Sequence, residues 1–509
     1  MTRRFRRRQV VAAMTVILLL TAGCTQSVSG RAVRVAAADG NQSQTPPPEP
    51  KSGLKDNAPI SPLTAPGAVK GNKYDALALD TIDDLDTFYT QVFQQDFGST
   101  FTPAKQLMSF DSNTSTSSTC GEKLHGLQNA QYLPECDEII WDRGDLMPTM
   151  EKQVGELSAP TILAHETGHL VQARLGVART SVLLLEQQAD CYAGAYWRWV
   201  ADGHSKYFDF SQGDGLRQVF ASMMWVGDPV GLMPDNEQAH GTSFDRVFAA
   251  SLGFANGPRR CNAITQAEVD QRIEETGFST LPMHFGNVAV TTDLMTQVAA
   301  TLDDYFGRTV PNYRKPTLAA YASDEPPPCQ GSRPAAPVDY CPATNAVQYN
   351  LAQLQKIGTP NASWQSNSGD FSAIMLLASR YALAAQATGG GSLTGNQAGL
   401  RGLCYAGTWA SWMKTPRGAR HLQLSPNDLN KAVYEVVTSP QAAGDVNSAT
   451  STTVLDQVQA LNIGVVYDIR RCFDFYGAGS TAPPAGKTGT SGQIHTTGRT
   501  ATSAPKSTG

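Results

Sequence analysis

His165 and His169 stand four residues apart in Leu163-Ala164-His165-Glu166-Thr167-Gly168-His169-Leu170. On a helix that spacing puts both imidazoles on one face, where they can reach one tetrahedral ion, with Glu166 beside the open position. Two imidazoles do not complete a catalytic centre. It also takes a third protein ligand and a group that orients a histidine. Seventeen residues past His169 runs Glu186-Gln187-Gln188-Ala189-Asp190. Glu186 and Asp190 share a helix face at i and i+4, so one can bind the ion while the other accepts a hydrogen bond from the imidazole of His165. With zinc such a set does hydrolysis: a water made acidic by the ion gives its proton to Glu166, which returns it to the leaving amine. The oxyanion needs a further donor, and His240 is the candidate; the plainer reading is a loop histidine among Pro234, Asp235, Asn236 and Gly241. A structural zinc is the competing reading of the whole set, but it gives Glu166 no purpose, and closed structural sites favour Cys.

The elements that must position these residues can be read from periodicity. A helix is predicted near Thr81 to Gln95, strands near Lys105 to Asp111 and Asp137 to Asp142, and two long helices over Ser158 to Leu175 and Ser181 to Ala201. Ile162, Leu163, Leu170 and Leu183 to Leu185 suit faces packed against a small sheet, so the class is α+β. The histidine pair falls on the first long helix and Glu186 on the second.

Composition limits the remaining possibilities. The chain has 509 residues, room for two or three domains. It begins with a basic stretch from Arg3 to Arg8 and an apolar run from Val10 to Leu20, followed by Thr21-Ala22-Gly23-Cys24. The run is too short for a permanent membrane span and fits a signal peptide over residues 1–23. The small residues before Cys24 resemble the lipobox of bacterial lipoproteins, which implies acylation of Cys24 and a membrane anchor on the extracytoplasmic face. Thr21, where Leu is commoner, departs mildly from that pattern. Cleavage before Cys24 takes five arginines from the 40 basic residues, leaving 35 against 45 acidic ones, so nucleic acid is not expected as a partner. Residues 24–77, rich in Ser, Pro, Gly, Ala and Gln, read as a disordered tether, and 477–509 as a disordered tail.

Eight cysteines remain beyond Cys24, an even number that suits disulfides in an exported chain. They also reveal self-similarity. Cys120, Cys136, Cys191 and Cys261 align with Cys329, Cys341, Cys404 and Cys472 at offsets of 209, 205, 213 and 211. Cys191-Tyr-Ala-Gly answers Cys404-Tyr-Ala-Gly, and Arg259-Arg260-Cys261 answers Arg470-Arg471-Cys472. Two domains follow, 78–285 and 286–476. If the cysteines bond within each copy, the natural pairs are 120 with 136, 191 with 261, 329 with 341 and 404 with 472. In the second copy Ser379 to Leu383 meets the histidine motif, and Gly399 and Leu403 meet Glu186 and Asp190. One zinc per chain is therefore expected.

Thr119-Cys120-Gly121, Tyr132 to Cys136, Ile139 to Asp142, His165 to His169, Glu186 to Gly194, His240-Gly241-Thr242 and Cys261 resemble, in order, the neutral zinc metallopeptidases of bacteria over about 78–265. The second-helix glutamate resembles the gluzincin arrangement. The resemblance implies a zincin-like fold with His165, His169 and Glu186 as zinc ligands, Glu166 as general base and Asp190 behind a ligand histidine. Lipobox, tether and second copy together resemble lipoprotein peptidases of actinobacteria. The expected function is a membrane-anchored zinc peptidase acting on a peptide or protein. The alternative is a catalytically silent, zinc-binding surface lipoprotein that serves as a binding scaffold. Oligomeric state is not readable from sequence.

Overall fold

The structure is a computed structural model that describes residues 51–477, apart from 179–180, 229–231, 233–235, 237–238, 277–286, 365–366, 416, 418–421 and 451. Cys24, the signal peptide, residues 24–50 of the tether and the tail from 478 lie outside the described residues.

Helix α1, Lys73–Phe97, starts where the Asn72 side chain accepts from the Tyr74 and Asp75 amides, and it ends at Gly98 with φ 72°. It buries Leu77, Leu85, Phe88, Tyr89 and Phe93. Three strands of one sheet follow, β1 (Gln106–Phe110), β2 (Ala130–Leu133) and β3 (Glu138–Asp142). β3 is central and buried at every position; β1 runs parallel to it and β2 antiparallel on the other edge. Asp137 turns the chain from β2 into β3 with a left-handed φ of 55°. It is pinned by the Tyr132 hydroxyl at 2.9 Å and by Arg174 at 2.8 Å.

Helices α2 (Ser158–Leu175), α3 (Val182–Ala201), α4 (Asp214–Trp225) and α5 (Ser243–Asn256) cover the sheet and one another. Two glycines fix how closely they approach. A Cβ on Gly168 of α2 would meet the Ala189 Cα of α3 at 2.8 Å, and one on Gly253 of α5 would meet the Cys191 carbonyl oxygen of α3 at 1.7 Å. Bare backbone at these points lets α2, α3 and α5 touch, and the Cys191–Cys261 disulfide ties α3 to the segment after α5.

The second half has the same element order: α6 (Thr292–Thr309), β4 (Thr317–Tyr321), β5 (Val338–Cys341), β6 (Ala346–Asn350), α7 (Asp370–Thr388), α8 (Asn396–Trp412), α9 (Asp428–Thr438) and α10 (Val454–Val466). Its sheet is ordered β4-β6-β5, with β4 parallel and β5 antiparallel to the central strand. Small details recur. Asn345 (φ 48°) accepts from the Tyr340 hydroxyl as Asp137 does from Tyr132. Gln386 donates to the Ala398 carbonyl as Gln172 does to Leu185. Thr453 and Asp456 form a capping box like that of Thr242 and Asp245. A Cβ on Gly464 would meet the Cys404 carbonyl oxygen at 2.1 Å. The remaining disulfides join Cys120 to Cys136, Cys329 to Cys341 and Cys404 to Cys472. α9 and α10 pack on α5, so the described residues form one compact unit.

The tether ends earlier than expected. Gly53–Leu54 pairs antiparallel with Phe208–Asp209, Ser52 is buried against Ser211, and the Ser61 amide donates to Asp80. Residues 51–72 thus attach to the domain through backbone groups and small polar side chains, which apolar content does not register, together with Leu54, Ala58, Leu63 and Ala65 packed on the core. α1 starts at Lys73 rather than near 81, because the cap is Asn72 and the first turns carry Asp75, Asp80 and Asp84 on buried positions. No described helix is long and apolar enough to cross a membrane.

Candidate metal centre

α2 carries His165 and His169 on one face, and α3, held against it at Gly168, brings Glu186 opposite them. The Nε2 atoms of the two histidines are 3.2 Å apart. Glu186 Oε2 lies 3.2 Å from Nε2 of His165, and its Oε1 3.3 Å from Nε2 of His169. One ligand atom from each of the three residues falls within 4.8 Å of the others, the only such cluster among the described residues.

Each imidazole is held from behind. His165 Nδ1 donates to Asp190 at 2.8 Å, and His169 Nδ1 to Gln172 Oε1 at 3.0 Å. Gln172 is itself fixed, donating to the Leu185 carbonyl at 2.7 Å. Both rings therefore present Nε2 to the same point.

The electrostatics call for a cation. Burial disfavours the charged form of His165, but Asp190 and Glu186 outweigh it and hold the imidazole up at about 10. Burial likewise opposes charge on His169, yet Glu186 raises it. Burial works against the Glu186 carboxylate too, and the two histidines still keep it well below the usual range. Glu186 Oε2 is buried without a hydrogen-bond donor. Two neutral imidazoles and one carboxylate, with an oxygen lone pair lacking a donor and no thiolate, are the donor set of an open zinc site, and these residues fit zinc.

Glu166 lies beside this cluster, its Oε1 4.0 Å from His165 Nε2. Its Oε2 accepts the Tyr132 amide of edge strand β2 at 2.9 Å. Both face a cavity of about 1120 Å³, lined also by Gln131, Ile162, His240 and Arg246. His240 reaches the cavity but not the cluster: it is 53 % exposed, with Nδ1 3.5 Å from Asp228 Oδ1. A hydrogen bond to Asp228 raises its pKa, against some desolvation.

Sequence reasoning missed Arg246. Its Nη2 donates to Asp190 at 2.8 Å and its Nη1 is 3.7 Å from Glu186 Oε2, so one guanidinium steadies both carboxylates. Burial would lower its pKa, but Asp190 and Glu186 raise it instead. The signal available was an arginine one turn past the Thr242–Asp245 cap, on a helix otherwise lined by Val247, Ala249 and Ala250.

Residues 61–264 match the family described as "Putative neutral zinc metallopeptidase". This segment is similar to that family. The matched segment contains the whole cluster, from His165 to Arg246. The chain is also 26 % identical over 243 residues to "Uncharacterized protein YpfJ" of Escherichia coli strain K12, covering 42 % of this chain and 79 % of that one, and to the same degree to its counterpart in Escherichia coli O6:H1. No solved structure matches the chain.

Proposed function

We propose that this protein is a zinc-dependent peptidase, held by a lipid on Cys24 at the extracytoplasmic face of the membrane, that hydrolyses peptide bonds with Glu166 as general base. The observation that carries the reading is the convergence of His165, His169 and Glu186 with a separate carboxylate, Glu166, at the wall of one open cavity. A structural site has no use for that fourth group. A zinc ion held by the three ligands supplies Lewis acidity, which makes a water acidic near neutral pH and polarises a carbonyl. Glu166 Oε1 is free to take the proton of the attacking water, while the Tyr132 amide holds Oε2 and fixes the carboxyl plane. The same carboxyl then passes the proton to the departing amine. His240, raised toward its charged form beside Asp228, is positioned on the cavity wall to donate to the carbonyl oxygen of the substrate. The test is cleavage of denatured casein and a peptide library with and without a chelator. Cleavage lost to chelator and restored by zinc is expected; no zinc-dependent cleavage between pH 5 and 9 would overturn the reading in favour of a binding scaffold.

The second half reads as a degenerate copy without this chemistry. Ser379, Leu383 and Gly399 stand where the ligands would be. A Cβ at Gly399 would meet the Ala443 carbonyl oxygen at 1.9 Å, so the glycine admits backbone where the first half has Glu186. Arg380, in the place of Glu166, donates to the carbonyls of Val338, Gly444 and Gln441 at 3.2, 2.7 and 2.8 Å. The chain's own Gln441–Gly444 segment fills the space, which supports one zinc per chain.

A further inference from the structure

The second half meets the first at the start of α5, the helix that carries Arg246. An α-helix leaves its first amides without intrahelical partners. In α5 the Thr242 hydroxyl takes the Asp245 amide at 3.2 Å, an ordinary local cap. The Phe244 amide, however, donates at 3.0 Å to Oδ1 of Asn430, on α9 of the second half. The neighbouring Ser243 hydroxyl lies 2.9 Å from the Met224 carbonyl at the end of α4 and 3.0 Å from Oδ1 of Asn367, whose Nδ2 donates at 3.0 Å to that same carbonyl. Ser243, Phe244, Asn367 and Asn430 are all buried. Asn430 thus takes a free amide of the first turn of α5 while Asn367 holds the Ser243 side chain beside it, and Arg246 leaves that turn to grip Asp190 and Glu186.

We infer that the second half is a positioning element of the metal centre: Asn430 and Asn367 hold the first turn of α5, and through Arg246 set the placement of Glu186 and Asp190. This rests on the zinc-peptidase reading above. It gives the degenerate half a role in the reaction that needs no ligand of its own. A shift of the α5 terminus moves Arg246 directly, because only one residue separates it from Phe244. Loss of the grip leaves Glu186 and Asp190 two buried carboxylates facing each other across His165.

The test compares zinc affinity, by competition with a chromophoric chelator, and amide exchange in the full-length chain for wild type, Asn430→Ala, Asn430→Asp and Asn350→Ala. Asn430→Ala should speed exchange at Phe244 and Arg246 by about 2- to 30-fold, the usual worth of a lost cap. It should also weaken zinc binding by about three- to tenfold, less than removal of a direct outer-shell partner. Asn430→Asp keeps an acceptor at the helix N-terminus and should restore both. Asn350 caps a helix within the second half, accepting from the Gln353 amide at 3.0 Å. Asn350→Ala should therefore lower thermal stability and leave zinc affinity alone. Equal weakening in Asn350→Ala, or no rescue by Asp, would reduce the effect to general loosening and overturn the inference. Wild type that binds zinc while Asn430→Ala binds it identically overturns this inference alone; wild type that binds none removes the zinc reading and this inference with it.

Discussion

Glu166 and Asp190 are both buried carboxylates within reach of His165, yet they do different work, and substitution should separate them. Glu166→Gln keeps the size of the side chain and an oxygen for the Tyr132 amide, so zinc affinity should hold while turnover falls by at least about a hundredfold. Retention of a near-normal rate would remove Glu166 from the mechanism. Asp190→Asn should instead weaken zinc binding about ten- to a hundredfold, measured by calorimetry, because it removes the charge that orients the His165 ring and pairs with Arg246 Nη2. The centre also makes a prediction about pH. In the metal-free protein His165 is raised to about 10, above its ordinary value of 6.5. Its ion pair with Asp190 therefore contributes stability fully below pH 6.5, and that contribution is lost as pH rises through 10. Zinc competes with the proton for Nε2, so its hold strengthens over the same interval. The difference in Tm between zinc-loaded and metal-free protein should widen from pH 6 to pH 8.5; a constant difference would contradict the assigned proton. At this scale the histidine pair of the candidate cluster was legible because i, i+4 spacing is a property of the sequence alone. Arg246 was not, since nothing local says that a lone arginine will lie between two carboxylates of another helix.

Elements matter here through close approach. Gly253→Ala gains about 1 kcal/mol in helix propensity, but its Cβ would sit 1.7 Å from the Cys191 oxygen, and forcing α3 and α5 apart costs about 1–3 kcal/mol or more. The backbone oxygen cannot rotate away as a side chain can, so the packing cost should win. Thermal unfolding should show a lower Tm, and zinc affinity should fall with it as Arg246 moves; an unchanged Tm would show that the helices separate freely. The two long helices could be placed from sequence to within a residue because apolar periodicity and the Gly176 and Ser181 ends agree. Strand β2 escaped: four residues, Ala-Gln-Tyr-Leu, are too short to show a period, and their pairing partner lies across the Asp137 turn. Segment 51–72 was misread for a related reason. Its attachment combines amides, carbonyls and serine hydroxyls with only a few apolar side chains, Leu54, Ala58, Leu63 and Ala65, so a composition poor in apolar residues says little about whether it packs.

The whole molecule has two halves with one element order and one candidate metal cluster among the described residues. The cysteine offsets made the shared element order legible, because cross-links keep their place in the chain. How the halves meet was not legible, since Asn367 and Asn430 carry no pattern that sets them apart from surface asparagines. At the membrane, Cys24→Ser should abolish labelling by a fatty-acid analogue, and equal labelling of the variant would sink the anchor. The most direct test of the central claim is a titration of metal-stripped full-length protein with zinc, following the initial rate of casein cleavage. The rate should rise in proportion to zinc and level off at about one equivalent per chain, as a single site built from three ligands and one open position requires. A rate that stays at zero through several equivalents, or that levels off only at two, would contradict it.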